Sequence, residues 1–115
     1  MKEVLRSGRR TTRVIEMRGA GMDPEGIELA TLDRLVSLAG KRVLEIGCGD
    51  GRLTWPLAER ARSVVAIDPD RLDIARARRA LPTRVKGRVD FEVASGESLP
   101  FPDGEFDVAV FSWSL

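Results

Sequence analysis

A short apolar run that ends in closely spaced glycines constrains this fold most. Residues 41–52 read K-R-V-L-E-I-G-C-G-D-G-R, with glycines at Gly47, Gly49 and Gly51. The pattern is typical of a buried parallel strand that turns tightly into a helix. Glycines let the backbone adopt positive φ and approach a ligand closely, and the helix that follows offers unpaired N–H groups. The sequence therefore predicts a ligand-binding turn here.

A second apolar run, 64–67, ends in Asp68, seventeen residues after Gly51. An acidic side chain at the tip of a neighbouring strand is placed to accept hydrogen bonds from a ribose. The alternative interpretation is an ordinary strand-to-helix turn followed by an exposed acid. The glycine spacing together with Asp68 favours a nucleotide-type site.

The remaining pattern predicts an α/β fold with a parallel sheet, because strands and helices alternate. The predicted strands are 42–46, 63–68, 89–94 and 106–113, and the predicted helices begin at Asp23, near Leu53 and near Asp70. In the third helix Leu72, Ile74, Ala75, Ala77 and Leu81 are predicted to face inward. The third strand reads V-D-F-E-V-A, which predicts an edge strand with Asp90 and Glu92 on a wet face.

Residues 1–22 are rich in arginine and lack clear periodicity. We predict a mobile basic arm or a partial helix there, followed by one domain over residues 23–115. The net charge of +1 gives no global indication of a nucleic-acid or membrane partner. Residues 52–88 carry ten basic and four acidic side chains, which fits either an anionic substrate or a solvated face.

The composition indicates the cellular compartment and the kinds of site to expect. Cys48 is the single cysteine and histidine is absent, so we expect neither an intrachain disulfide nor a transition-metal site. The first residues lack the apolar core of a signal peptide, and no run approaches 18 apolar residues. These features predict a cytoplasmic protein.

The glycine spacing separates two kinds of nucleotide ligand. A dinucleotide fingerprint, G-x-G-x-x-G, counted from Gly47 would require a third glycine at position 52, which is Arg52. The glycines here run G-x-G-x-G instead. A nicotinamide-dinucleotide domain is therefore a disfavoured alternative.

Three segments in order resemble class I S-adenosylmethionine-dependent methyltransferases. V-L-E-I-G-C-G-D-G resembles motif I of that family, and A-I-D-P-D at 66–70 resembles its second strand and the start of the next helix. S-L-P-F-P-D-G-E-F-D-V-A-V at 98–110 resembles the segment before its fourth strand, especially in small-molecule methyltransferases related to quinone-biosynthesis enzymes. The resemblance covers about residues 27–115. It implies a Rossmann-like sheet with strand order 3-2-1-4, helices mainly on one face, S-adenosylmethionine as cofactor and a small-molecule methyl acceptor.

The resemblance also implies which residues hold the methionine end of the cofactor. Gly47, Cys48 and Gly49 would wrap the methionine part, and Glu45 would help to position its amino end. Ser112 closes the fourth strand, where the family contacts the sulfonium region and the substrate. An unpaired carboxylate inside a buried strand is costly, which independently favours a functional role for Glu45.

For the adenosine end, the resemblance implies that Asp68 holds the two ribose hydroxyls, with Pro69 beside the adenine. The family usually carries an acid that accepts from the adenine amino group, and this chain has Ser95 there, followed by Gly96. No catalytic residue is identified. Without histidine, an acceptor that ionises easily or a base supplied elsewhere is expected.

The resembling fold has seven strands, whereas this chain ends after its fourth. We predict one uncovered sheet face with roughly seven large apolar side chains and an open edge at the fourth strand, forfeiting about 10–20 kcal/mol. We therefore expect self-association or a complementing chain. Three functions follow: the cofactor-binding half of a methyltransferase, a non-catalytic module that binds S-adenosylmethionine or S-adenosylhomocysteine, and a nicotinamide-binding domain.

Overall fold

A six-stranded sheet runs through the part of the chain that the computed structural model describes, residues 2–7, 10–18, 37–97 and 104–113. The elements in chain order are β1 (Lys2–Ser7), β2 (Arg10–Arg18), β3 (Arg42–Ile46), α1 (Thr54–Arg60), β4 (Ser63–Asp68), α2 (Arg71–Ala80), a 3₁₀ helix (Thr83–Arg88), β5 (Val89–Val93) and β6 (Val108–Trp113). The strand order is β1-β2-β6-β3-β4-β5. The β1–β2 pair is antiparallel and the other four pairs are parallel.

The predicted parallel sheet is confirmed. The order β5-β4-β3-β6 is the predicted 3-2-1-4, and β3 and β4 have the predicted bounds. In β5 the single buried residue is Phe91, while Asp90 and Glu92 are exposed, as expected for an edge strand with one wet face. The central strand β3 is buried at four consecutive residues, as expected for a parallel strand covered on both faces, whereas β5 is buried only at Phe91.

The prediction for residues 1–22 is wrong where the structure describes them. Residues 2–7 and 10–18 are strands, not a mobile arm or a partial helix, and β2 runs parallel to β6 over six residue pairs. Val14 and Ile15 are buried, and β-branched residues such as these favour strands. The pairing satisfies the backbone groups of β6, so the predicted open edge is covered. The structure does not describe residues 19–36. The helix expected after Asp23 and the domain boundary expected at residue 22 therefore stay predictions.

Two apolar clusters lie on opposite faces of the sheet. On one face, strand residues such as Val43 and Val110 pack with Leu57 of α1 and Ile74 of α2. On the other face, a second cluster contains Leu44, Ile46, Ile67 and Phe106. Leu44, Ile46 and Ile67 are at most 8% exposed. The prediction of an uncovered apolar face is therefore wrong at these three positions.

Helix α2 begins where Asp70 accepts hydrogen bonds from the backbone N–H groups of residues 72 and 73, at 2.9 and 3.2 Å. Ile74 and Ala77 are buried as predicted. Leu72 was predicted to face inward but is 66% exposed, because a position two residues before Ile74 lies on the opposite side of a helix. None of the helices in the described residues has the length and apolar character needed to cross a membrane.

Candidate functional site

The turn after β3 has the backbone conformation that its glycines permit. Gly47, Gly49 and Gly51 have φ values of +81°, +56° and +89°. The N–H groups of Gly47 and Cys48 both donate to the Ile67 carbonyl oxygen, at 2.9 and 3.0 Å. A residue with a Cβ would be strained at such φ values. The predicted tight turn is confirmed, and it is fixed to the end of β4.

Two of these glycines also allow close packing. A Cβ on Gly47 would lie 2.9 Å from the backbone oxygen of Ser112, and a Cβ on Gly51 would lie 3.0 Å from the Cβ of Ala77. Gly47 thus lets the turn approach the end of β6. Gly51 lets the segment before α1 approach α2.

Asp68 lies beside this turn and binds to it. Its Oδ2 accepts from the Gly49 N–H at 2.9 Å, and its Oδ1 accepts from the Asp70 N–H at 2.8 Å. The side chain is half-buried at the end of β4. A carboxylate offers about four lone-pair sites, so each oxygen retains capacity for a ligand hydroxyl. The predicted proximity of Asp68 and the glycine turn is confirmed, whereas ligand binding by these residues stays a prediction.

Glu45 lies inside the buried strand β3, as the sequence predicts, and its role toward a ligand stays a prediction. It is fully buried; its Oε1 accepts from the Thr54 hydroxyl at 2.5 Å and its Oε2 accepts from the Ser112 hydroxyl at 2.7 Å. The Ser112 hydroxyl also lies 3.3 Å from the Gly47 carbonyl oxygen. Sequence reasoning missed Thr54. The signal available was a hydroxyl residue at the start of a helix, nine positions after a buried acid.

Cys48 is a packing residue in a negatively charged setting. Its side chain is 3% exposed and donates a weak hydrogen bond to the Gly49 carbonyl oxygen. Burial raises the pKa of the Cys48 thiol far above its ordinary value, and the carboxylates of Glu45 and Asp68 raise it further. A neutral buried thiol is a poor nucleophile.

The segment after β5 reaches the same end of the sheet. The Ala94 N–H donates to the Asp68 carbonyl oxygen at 3.1 Å, and the Ser95 hydroxyl oxygen accepts from the Glu97 N–H at 3.1 Å. A Cβ on Gly96 would lie 2.7 Å from Ile46 Cγ2, so this segment is close to β3 as well. Pro69, directly after β4, is exposed.

The structure therefore brings the predicted site residues to the carboxyl ends of β3, β4, β5 and β6. Chain order reverses between β3 and β6, because β4 and β5 extend the sheet on one side of β3 and β6 lies on the other. In open α/β sheets, ligands bind in the crevice outside the carboxyl strand ends at such a reversal. Asp68 and the glycine turn lie together at this edge of the sheet.

Comparison with known proteins gives consistent matches. Residues 43–115 match the family model described as "Methyltransferase domain". A magnesium-protoporphyrin O-methyltransferase of Rhodobacter capsulatus is 34% identical over 117 residues, which covers 100% of this chain and 44% of that protein. A ubiquinone biosynthesis O-methyltransferase of Dechloromonas aromatica is 36% identical over 86 residues, covering 74% of this chain and 37% of that protein.

Solved structures of methyltransferases are also similar to this chain. An S-adenosylmethionine-dependent methyltransferase from Mesorhizobium loti superposes with a TM-score of 0.63 at 30% identity, covering 72% of this chain and 38% of that one. One from Thiobacillus denitrificans, in complex with S-adenosylhomocysteine, has a TM-score of 0.58 at 30% identity, covering 75% and 36%. The chain spans less than half the length of each of these four proteins.

Proposed function

We propose, since this chain belongs to the S-adenosylmethionine-dependent methyltransferase family, that it binds S-adenosylmethionine and supplies the cofactor-binding half of an enzyme that methylates a small molecule. The family resemblance seen in the sequence is thereby confirmed, and S-adenosylmethionine is the cofactor of that family. The observation that carries the proposal is the 2.9 Å hydrogen bond from the Gly49 N–H to Asp68 Oδ2. It joins the backbone turn and the acidic strand tip at one edge of the sheet.

The residues present fit an adenosyl ligand. Asp68 is half-buried, and two backbone N–H groups fix the orientation of its carboxylate. We propose that its remaining lone pairs accept from the ribose hydroxyls. Ser95 stands where the resemblance implies an acid, and its hydroxyl oxygen has a second lone pair beyond the one used by Glu97. We propose that Ser95 and Gly96 lie beside the adenine together with Pro69.

Methyl transfer depends mainly on the alignment of the nucleophile with the methyl group and the sulfur. When bound, the cofactor supplies a methyl group on a positively charged sulfur, and the protein places the nucleophile in line with it. We propose that the turn from Gly47 to Gly49, with Ser112 at the end of β6, positions the methionine end. This chain contains no histidine, so we propose an acceptor that ionises readily or a base from outside this chain.

The acceptor contacts are proposed to come from further protein. The chain spans 44% of the Rhodobacter relative, and we propose that residues outside this span supply acceptor contacts. We propose a complementing chain or self-association in the cytoplasm as the source of these contacts. Light scattering tests the association: a stable dilute monomer contradicts it.

Calorimetry tests the cofactor proposal. S-adenosylhomocysteine should bind at a 1:1 ratio, whereas NAD should give no heat of binding because Arg52 replaces the third fingerprint glycine. Binding of NAD with no binding of S-adenosylhomocysteine would overturn the proposal.

A second candidate is a non-catalytic module that binds S-adenosylmethionine or its product and acts through a partner. Transfer of a labelled methyl group from the cofactor to a panel of metabolites separates the two, since a non-catalytic module binds the cofactor but transfers nothing.

A further inference from the structure

We propose that Glu45 is a positioning residue that holds the glycine turn ready for the cofactor, acting through Thr54 and Ser112 without touching the ligand. We call the side chains of Glu45, Thr54 and Ser112 the carboxylate clamp. The inference rests on the proposed cofactor site and adds the residues that keep this site in shape. It differs from the role that the family resemblance implied for Glu45, which was contact with the amino end of the ligand.

The carboxylate clamp joins three elements at one point. Glu45 lies in β3, Thr54 is the first residue of α1, and Ser112 lies near the end of β6. Each carboxylate oxygen of Glu45 accepts a hydrogen bond from one hydroxyl, that of Thr54 at 2.5 Å and that of Ser112 at 2.7 Å. One side chain thus ties the strand before the glycine turn to the helix after it and to the neighbouring strand.

The position of the carboxylate clamp in the sheet gives it a role in binding. β3 and β6 are the two strands between which chain order reverses, so their carboxyl ends form the walls of the predicted crevice. The Ser112 hydroxyl lies 3.3 Å from the carbonyl oxygen of Gly47, the first residue of the turn. Loss of either hydroxyl is therefore expected to increase the mobility of the turn on the side of β6, while its hydrogen bonds to Ile67 and Asp68 remain.

Burial separates positioning from direct contact. Glu45 and Thr54 are 0% exposed and Ser112 is 7% exposed. Both carboxylate oxygens already accept hydrogen bonds from hydroxyl groups within the protein. The burial of Glu45 and its two hydroxyl partners favour a role in positioning over direct contact with the ligand. Removing one hydroxyl takes one hydrogen-bond donor away from this buried carboxyl group, and the loss of a donor to a buried acceptor is costly.

The test removes one hydroxyl at a time from the full chain. Thr54→Val and Ser112→Ala each delete one arm of the carboxylate clamp with little change in volume, and Thr54→Ser keeps the hydroxyl. Thr12→Val is the matched control, because the buried Thr12 hydroxyl donates to the Phe106 carbonyl oxygen at 2.8 Å, before the amino end of β6. Three quantities are measured: affinity for S-adenosylhomocysteine by calorimetry, the Tm, and amide hydrogen exchange over residues 47–51 without ligand.

We expect Thr54→Val and Ser112→Ala to weaken S-adenosylhomocysteine binding about tenfold and to speed amide exchange over residues 47–51. Thr54→Ser should restore both values. Thr12→Val should lower the Tm while leaving affinity and exchange at these amides unchanged.

Two results would overturn the role of the carboxylate clamp. One is that Thr54→Val and Ser112→Ala lower the Tm but leave affinity and exchange unchanged, which makes these contacts structural. The other is that Glu45→Gln abolishes binding while both hydroxyl variants bind normally, which makes Glu45 a ligand contact. If the unmodified chain binds no S-adenosylhomocysteine, the proposed function fails, and the exchange comparison in ligand-free protein still decides the role of the carboxylate clamp.

Discussion

The two ends of the β3–β6 pair are joined in different ways. At the amino end, the Arg42 N–H donates to Asp107 Oδ2 at 2.9 Å and the Asp107 N–H donates to the Arg42 carbonyl oxygen at 2.8 Å. Both side chains are partly exposed there. At the carboxyl end, the buried carboxylate of Glu45 bridges two hydroxyls, and the following backbone has positive φ.

This difference indicates which end of the sheet is suited to bind a ligand. At the amino end, the backbone and side chains of Arg42 and Asp107 pair with one another. The carboxyl end instead combines glycines that lack a Cβ, an oriented acid at Asp68 and a buried bridge at Glu45. The β3–β6 pair therefore contributes to stability at its amino end and, together with Asp68 of β4, to the proposed cofactor site at its carboxyl end.

The largest expected effect comes from crowding at the carboxyl end. Gly47→Ala should lower the free energy of unfolding by about 3 kcal/mol, because positive φ costs about 1–2 kcal/mol and the new Cβ meets Ser112 O at 2.9 Å. Gly40→Ala, before the amino end of β3, has a similar φ of +73° but meets nothing within 4 Å, so about 1 kcal/mol is expected. Urea denaturation measures both. Equal losses would mean that the turn is not packed against β6.

The next comparison replaces an acid at each end by its amide. Asp68→Asn should weaken S-adenosylhomocysteine binding by about 10- to 100-fold, because one backbone N–H and the ribose hydroxyls lose a charged acceptor. Asp107→Asn should leave this affinity unchanged and lower the free energy of unfolding by up to about 1 kcal/mol. Calorimetry at constant salt reads the affinities. A similar loss in both variants would remove the distinction between the two ends.

A smaller effect should appear as a pH dependence. Burial and the nearby carboxylates raise the folded-state pKa of the Cys48 thiol above its ordinary 9.0. Above pH 9 the unfolded chain then releases a proton that the folded chain keeps, so stability falls as pH rises. We expect about 1.4 kcal/mol of the free energy of unfolding to be lost between pH 8 and pH 10. Cys48→Ala should lack this loss, and identical pH profiles of the two proteins would contradict it.

The smallest effect is expected far from the site. Arg84 pairs with Glu59 at 2.5 Å and stacks over Trp55 at 5.6 Å, but its side chain is 60% exposed. Arg84→Ala should therefore cost less than about 1 kcal/mol of unfolding free energy. Arg84→Lys, which keeps the charge, should cost less still. Thermal unfolding measures both variants, and any change in cofactor affinity would show that the site extends to this surface.

Local signals in the sequence determined much of the fold and the main points of the site. The bounds of β3 and β4 follow from short apolar runs, and the turn follows from glycines at positions that need positive φ. The proximity of Asp68 follows because parallel strands end at the same edge. The methyltransferase resemblance, carried by these segments and by residues 98–110, is confirmed by the family match over residues 43–115.

Tertiary structure decided what depends on distant parts of the chain. Strand β2 pairs with β6, and Ser112 meets Glu45 across 67 positions, neither of which has a local signature. Periodicity and turn chemistry act within a few residues, so they can be read along the chain. Which strand covers an edge, or which hydroxyl satisfies a buried carboxylate, is settled only when the whole sheet forms and each buried polar group finds a partner.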